Sequence, residues 1–319
     1  MNLRFSVIIP VYNRPEEVDE LLHSFENQTY TGEYEIIIVE DGSQRECREV
    51  VDRYRGKLPV RYLKKQNTGP GLSRNFGMKN ARGNYFIILD SDVIVPPLYL
   101  ETVHRALSTH YTGVFGAPDR AHPSFDTFQK AVSYAMTSYL TTGGLRGHKK
   151  NKRFQLRSFN MGMSRAVYEK TGGFGSRRIG EDIEFSYRIS RQGFSRQYID
   201  GAYVYHKRRS SPAAFFRQMY RFGRERPALD AEFAGRHSLF YSLPSIFTVG
   251  LVVSLFLAMG GILTPLYIYF AYFLLIAIDS TMANKDIRVG LVSVPVVVIQ
   301  FAGYGLGYIR GYFRAHDRT

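Results

Sequence analysis

The stretch "NYFIILDSDVIVPP" (84–97) ends an apolar run in Asp90 and Asp92, two carboxylates one residue apart, and closes on two prolines. In extended structure a two-residue step puts both side chains on one side of the chain, so both can approach one ion or its ligand. Two other acidic features punctuate the chain: "EDGS" (40–43), with Asp41, and "GEDIEF" (180–185), with Glu181 and Asp182. If Asp41, Asp90 and Asp92 share a crevice, they repel one another unless a cation or hydrogen-bond donors compensate. That chemistry calls for a divalent metal, and hard oxygen ligands suit Mg²⁺ or Mn²⁺ together with the phosphate oxygens of a substrate. Each feature alone has a plainer reading: "DSD" as a strand-ending turn, "ED" as acids at the favourable end of a helix dipole. "NTGPGLSRNFG" (67–77) is a glycine-rich turn entering a helix with Arg74 early in it, suited to phosphate or carboxylate, or simply a loop.

These groups need elements to hold them. "FSVIIPVY" (5–12) and "YEIIIVEDGS" (34–43) are short β-branched runs, and "PEEVDELLHSFENQ" (15–28) between them has helical spacing with Pro and acids in its first turn. A helix over 46–55, a strand "VRYLKK", the helix "LSRNFGMKNA" and the strand "NYFIILD" follow. Repeated β-α alternation predicts an α/β fold with a doubly wound, mostly parallel, Rossmann-like sheet, whose ligands collect at the carboxyl ends of its strands. "VYN" (11–13), "EDGS" and "DSD" all fall at such ends.

The 319 residues, 45% hydrophobic, suffice for a large core, and the single cysteine, Cys47, points to a reducing compartment. No signal peptide is evident. The net charge of +14 is densest at "RGHKKNKR" (146–153) and "HKRRS" (206–210); no nucleic-acid-binding motif accompanies it, which leaves a solvated basic surface or a membrane-facing one. Residues 243–278 carry no charge, enough for two spans of about 20 residues with "GGILTP" as the break between them. A third uncharged segment (289–309) is Gly- and Pro-rich. Three spans would put the basic tail outside, against the positive-inside bias, so this segment reads as a span or as re-entrant or interfacial. "PAAFFRQMYRFGRERP" (212–227) interleaves aromatics and arginines, as a helix lying in an anionic leaflet or packed on the preceding domain. The expected division is a nucleotide-binding domain over 1–211, an interface helix and linker over 212–238, and a membrane domain of two to three helices over 239–319.

"SVIIPVYNRPEEVDELLHSFENQTY", "EIIIVEDGS", "NTGPGLSRNFGMKNARGNYFIILDSDV", "SFNMGMSRAVYEKTGGFG" and "GEDIEFSYRISRQG", in this order and spacing, resemble the family 2 glycosyltransferases. The resemblance covers about residues 3–225 and implies their GT-A fold and inverting chemistry. It further implies that Asp41 contacts the nucleobase or ribose of a nucleotide sugar beside backbone from Pro10 to Tyr12, with Arg74 near the nucleotide. Asp90 would sit near the ribose and Asp92 would ligate the metal that bridges the diphosphate. His206, in "GAYVYHKRRS", stands where many members carry a histidine near that metal. Asp182 matches the catalytic base, with Glu181 beside it near acceptor or donor sugar, and Gly162 falls in the sugar-side loop. "QMYRF" (218–222) is similar to the acceptor-gripping QxxRW motif through Gln218 and Arg221, but Phe222 replaces the Trp and puts processivity in doubt.

The resulting expectation is a membrane-anchored, metal-dependent inverting glycosyltransferase. It would act at the cytoplasmic face of a cell membrane on a lipid-linked or cell-envelope glycan acceptor. The alternative is a nucleotide-sugar-binding membrane scaffold without catalysis. A dinucleotide oxidoreductase is disfavoured, since "PVYNRPE" stands where G-x-G-x-x-G would follow the first strand.

Overall fold

The computed structural model describes residues 2–143, 154–234 and 239–316; the basic stretch 146–153 lies outside them. In chain order the elements are β1 (Phe5–Val11), α1 (Pro15–Phe25), β2 (Tyr34–Asp41), α2 (Arg48–Tyr54), β3 (Val60–Lys65), α3 (Pro70–Lys79), β4 (Tyr85–Leu89), β5 (Val93–Ile94), α4 (Tyr99–Thr109), β6 (Val114–Gly116) and β7 (Asp119–Arg120). There follow α5 (Thr127–Thr137), α6 (Tyr139–Thr142), β8 (Asn160–Ser164), α7 (Arg165–Thr171), α8 (Glu181–Arg191), β9 (Arg196–Tyr198), β10 (Val204–His206) and α9 (Pro212–Leu229). A π-turn (Asp230–Ala234) and three long helices, α10 (Leu239–Met259), α11 (Thr264–Asn284) and α12 (Ile287–His316), complete the chain.

Residues 2–120 and 154–207 form one compact unit; 121–143, 208–234 and 239–316 form another. The first holds a seven-stranded sheet in the order β3-β2-β1-β4-β8-β6-β9. β3, β2, β1 and β4 are parallel, β8 runs antiparallel to both β4 and β6, and β6 pairs in parallel with β9. The expected doubly wound, mostly parallel sheet is therefore present. Its strands read as continuous apolar runs because both faces are covered. Val7, Ile9 and Val11 point to Leu21, Leu22 and Phe25 of α1 and Leu100, Val103 and Leu107 of α4. Ile8 and, from β2, Ile37 and Val39 point to the opposite core with Met78, Val167, Phe185 and Ile189. Each such side chain contributes about 1.5–3 kcal/mol on burial.

Two features place the site. β2 lies on one side of β1 and β4 on the other, so the chain reverses its winding direction between β1 and β4, and a crevice opens beyond the carboxyl ends of those two strands. A small second sheet, β5-β10-β7, closes over it: His206 pairs with Val93, and Val204 with Asp119. Asn160 anchors this sheet from beneath, donating to the carbonyls of Pro118 and Ala202 while Tyr99 Oη donates to its amide oxygen.

In the second unit α5, α9, α11 and α12 share a core of Ala131, Val132, Ala135, Met136, Phe215, Met219, Ile276, Val296 and Phe301. Among the described residues α10, α11 and α12 are long and apolar enough to cross a membrane. The expected first domain over 1–211 differs from the structure, where residues 121–143 fold with the C-terminal helices. The reason is local, since α5, opened by an Asp126–Gln129 capping box, turns a buried face of Ala131, Val132, Ala135 and Met136 to that core.

Candidate active site

β4 delivers Asp90 and Asp92 to the crevice, and β5 and β10 bring His206 beside them. Nε2 of His206 stands 3.2 Å from Oδ1 of Asp92, and Nη1 of Arg14 stands 2.5 Å from Oδ2. Lys207 N donates to the Asp92 carbonyl at 2.9 Å, which ties the two segments together. Behind the imidazole, Oδ2 of the buried Asp119 lies 3.9 Å from Nδ1. Burial alone would raise the Asp92 carboxyl; facing His206 and Arg14 outweigh it and hold the group well below the usual carboxylate range. Asp90, Asp92 and His206 each offer a ligand atom, all within 4.8 Å of one another. Two carboxylate oxygens and an imidazole nitrogen fit Mg²⁺ or Mn²⁺, and Asp119 is placed to orient the ring from its far nitrogen.

On the β1–β2 side, Tyr12 is 51% exposed at the mouth of the crevice, next to the half-buried Pro10. Asn13 beyond it takes a positive φ of 56° and uses its amide oxygen to accept from the amides of Gln44 and Arg45. Asp41 is buried and accepts from Lys65 Nζ at 2.6 Å and from the amides of Thr68 and Gly69 at 2.9 Å each. Its carboxylate therefore organises the turn into α3, where Gly69 at φ 95° and Pro70 start the helix.

Arg74 faces inward. Its guanidinium donates to Asp90 Oδ1 at 2.7 Å and to Glu181 Oε1 at 2.8 Å, over the ring of Phe174. One buried cation thus ties Asp90 at the strand end to the first turn of α8. Burial, only partly offset by Arg74 and reinforced by the neighbouring Asp182, pushes the Glu181 carboxyl up to about 7. Asp182 has a different setting: it is half-buried and 3.6 Å from Arg157. Gly180, at φ 80°, makes the turn that presents both acids.

One expected placement differs. Gly162 is not in a loop: it sits mid-strand in β8, paired with Ile87 and Phe115. A Cβ there would meet the Phe115 ring at 2.2 Å and the Phe86 carbonyl at 2.8 Å, so close strand packing demands the glycine. Gly162→Val is accordingly expected to cost about 1–3 kcal/mol of stability by overpacking, read as a lower urea midpoint; an unchanged midpoint with weaker donor binding would return the residue to a substrate role. Gln218 and Arg221 lie on α9 in the second unit, Gln218 half-buried and Arg221 exposed. Sequence reading missed Arg14, Asp119 and Arg157. Arg14 stood in "VYNRP", but nothing local pointed to Asp92, 78 positions on.

The family model described as Glycosyl transferase family 2 matches residues 6–172. Among curated proteins, poly(ribitol-phosphate) beta-N-acetylglucosaminyltransferase TarS of Staphylococcus aureus is 33% identical over 115 residues, 35% of this chain and 20% of TarS. Chondroitin synthase of Escherichia coli is 25% identical over 235 residues, 63% of this chain and 34% of the synthase. The chain thus spans a fifth to a third of the length of these relatives. Among solved structures, mannosyltransferase PcManGT from Pyrobaculum calidifontis, in complex with GDP-Man and Mn²⁺, superposes with a TM-score of 0.61 at 16% identity, covering 93% of this chain and 87% of that one. S. aureus TarS 1-349 in complex with UDP-GlcNAc superposes at 0.53 with 22% identity, covering 74% and 72%. At these identities the superpositions speak for the fold.

Proposed function

The chain belongs to glycosyl transferase family 2, and from that premise we propose that it is a membrane-anchored, metal-dependent enzyme that moves a sugar from a nucleoside-diphosphate donor to an acceptor hydroxyl with inversion. The observation that carries the reading is the buried Arg74 bridge, which holds two acidic groups of different character on one frame: Asp90, Asp92 and His206 at one end, Glu181 and Asp182 at the other. Donor activation and acceptor deprotonation need such a separation.

Asp92, His206 and Asp90 would hold a divalent cation, whose chemistry as a Lewis acid is to neutralise the departing diphosphate. Tyr12 and the backbone near Pro10 line the nucleoside side, and Asp41 keeps the adjoining turn in place. Asp182 takes the proton from the acceptor hydroxyl as its oxygen attacks the anomeric carbon. Glu181, held by Arg74, fixes the first turn of α8 so that Asp182 faces the sugar. An in-line displacement requires the carboxylates at the leaving-group end and the base to act from opposite sides of the anomeric centre. Gln218 and Arg221 are kept as acceptor contacts on the strength of the motif alone.

α10 and α11 would anchor the enzyme, with the catalytic unit on the cytoplasmic side and a lipid-linked or envelope-glycan acceptor within reach. A thermal-shift panel of UDP- and GDP-sugars with and without Mn²⁺ tests the donor half. A ligand at 100 times its Kd adds about 2.7 kcal/mol to native stability, so the cognate donor should raise the melting temperature only when Mn²⁺ is present. Metal-independent shifts without sugar turnover would instead indicate a binding scaffold.

A further inference from the structure

α10, α11 and α12 are all apolar enough to cross a bilayer, yet they are not equally covered: the most apolar stretches of α10 and α11 are 11% buried within the protein, that of α12 50%. α10 and α11 form an antiparallel hairpin, in which Tyr269 Oη donates to the Phe247 carbonyl and also lies where a Cβ on Gly250 would stand. The start of α10 and the end of α11 therefore lie at the same end of that hairpin. α12 touches the hairpin toward this end, with Ser293 hydrogen-bonded to Ser280 and the Phe301 ring 4.8 Å from that of Phe247. Gly290 packs on Thr281, near the end of α11, and Gly305 packs on Pro244 and Ser245, near the start of α10, with Ser245 Oγ donating to the Gly305 carbonyl. Those two glycines are about 22 Å apart along a helix. A helix crossing parallel to the hairpin would have carried Gly305 most of the way to the opposite end of it.

The cover over α12 agrees. Gly303, Gly307 and Gly311 press on the backbone of α9, where Cβ atoms would meet the carbonyls of Phe216 at 3.0 Å, Tyr220 at 2.2 Å and Arg224 at 2.1 Å. Both series rise together, so α9 and α12 run side by side and parallel for more than two turns. α9 carries Arg217 and Arg221, both exposed, and α12 carries the exposed Arg310 and Arg314 with the exposed apolar Leu306 and Phe313. Arg224, at the level of Gly311, is half-buried and paired with Glu225. Guanidinium groups are costly in hydrocarbon but favoured at an anionic headgroup layer, where neighbouring apolar side chains reach the acyl boundary.

We propose that α12 lies across the entry end of the α10–α11 hairpin and forms with α9 a two-helix basic platform seated on anionic lipid headgroups, its C-terminal end staying on the side from which α10 enters. The inference rests on α10 and α11 spanning the membrane and is independent of sugar transfer.

Single cysteines at Glu49, Ile262 and Arg314 in the full chain, reconstituted in sealed vesicles and treated with a membrane-impermeant maleimide, test the topology; the native Cys47 is buried. Arg314→Cys should react from the same side as Glu49→Cys, and Ile262→Cys from the opposite side. Arg314→Cys reacting with Ile262→Cys, or from neither side before detergent, overturns the proposal; Ile262→Cys reacting on the Glu49 side removes the spanning hairpin and the proposal with it. For the headgroup partner, spin-labelled phosphatidylglycerol should be enriched several-fold over phosphatidylcholine in the protein's lipid shell. In the triple variant Arg217→Gln, Arg310→Gln, Arg314→Gln that enrichment should fall towards parity, and undiminished enrichment overturns the platform.

Discussion

Asp182→Asn should lower sugar transfer by about 10²–10⁴-fold, the usual contribution of a general base, while leaving donor affinity unchanged. The substitution preserves shape and hydrogen-bonding reach, so the first turn of α8 should keep its place. Glu181 is the nearest rival for the proton, since burial pushes its carboxyl up to about 7. Its Oε1 is, however, engaged by Arg74 in a buried contact, and a carboxylate that serves as one end of an internal bridge is poorly placed to follow a substrate hydroxyl. Asp182 is less buried, and its ion-pair partner is Arg157 at 3.6 Å. Glu181→Gln offers the contrast: it weakens the bridge to Asp90, so donor affinity should fall along with turnover. Calorimetric titration of the donor beside single-turnover transfer separates the two. Wild-type turnover in Asp182→Asn would remove it from the role of base.

What could be read from sequence was whatever is local. α1 announces itself through Pro15, Glu16 and Glu17 in its first turn, and β1, β2 and β4 through apolar runs long enough to be buried on both faces. Their strand ends held Asp41, Asp90 and Asp92 where the switch in winding direction later placed the crevice. The small sheet β5-β10-β7 was beyond reach, because strands of two and three residues carry no periodicity and their partners lie far apart in the chain. Asp119 and its place behind His206 depend wholly on that sheet. Gly162 shows the opposite failure, in which a glycine suited to close approach of a substrate is needed instead for close approach of Phe115. The arm of α5 looked like part of the sheet domain by position, while its buried partners, Phe215, Val296 and Phe301, come from segments that read as membrane-facing.

Asp92→Ala should abolish the Mn²⁺-dependent part of donor stabilisation and with it nearly all transfer. Loss of an outer-shell partner of a metal ligand typically weakens metal binding about 10–100-fold, and loss of a ligand itself should exceed that. The electrostatics make the expected result specific. Asp92 is the carboxylate that Arg14 faces, so its removal leaves that guanidinium at the corner without its anion. A nucleoside diphosphate should then bind without metal at least as well as it does to the wild type, through the freed Arg14 guanidinium. The predicted signature is therefore a melting-temperature shift with nucleotide that no longer responds to Mn²⁺, and not a general loss of binding. Asp182→Asn predicts the reverse pattern, an intact Mn²⁺ response without turnover. If Asp92→Ala kept a wild-type Mn²⁺ response, the cation would have to be held by residues other than Asp90, Asp92 and His206, and the division between a leaving-group corner and a separate base would lose its first half.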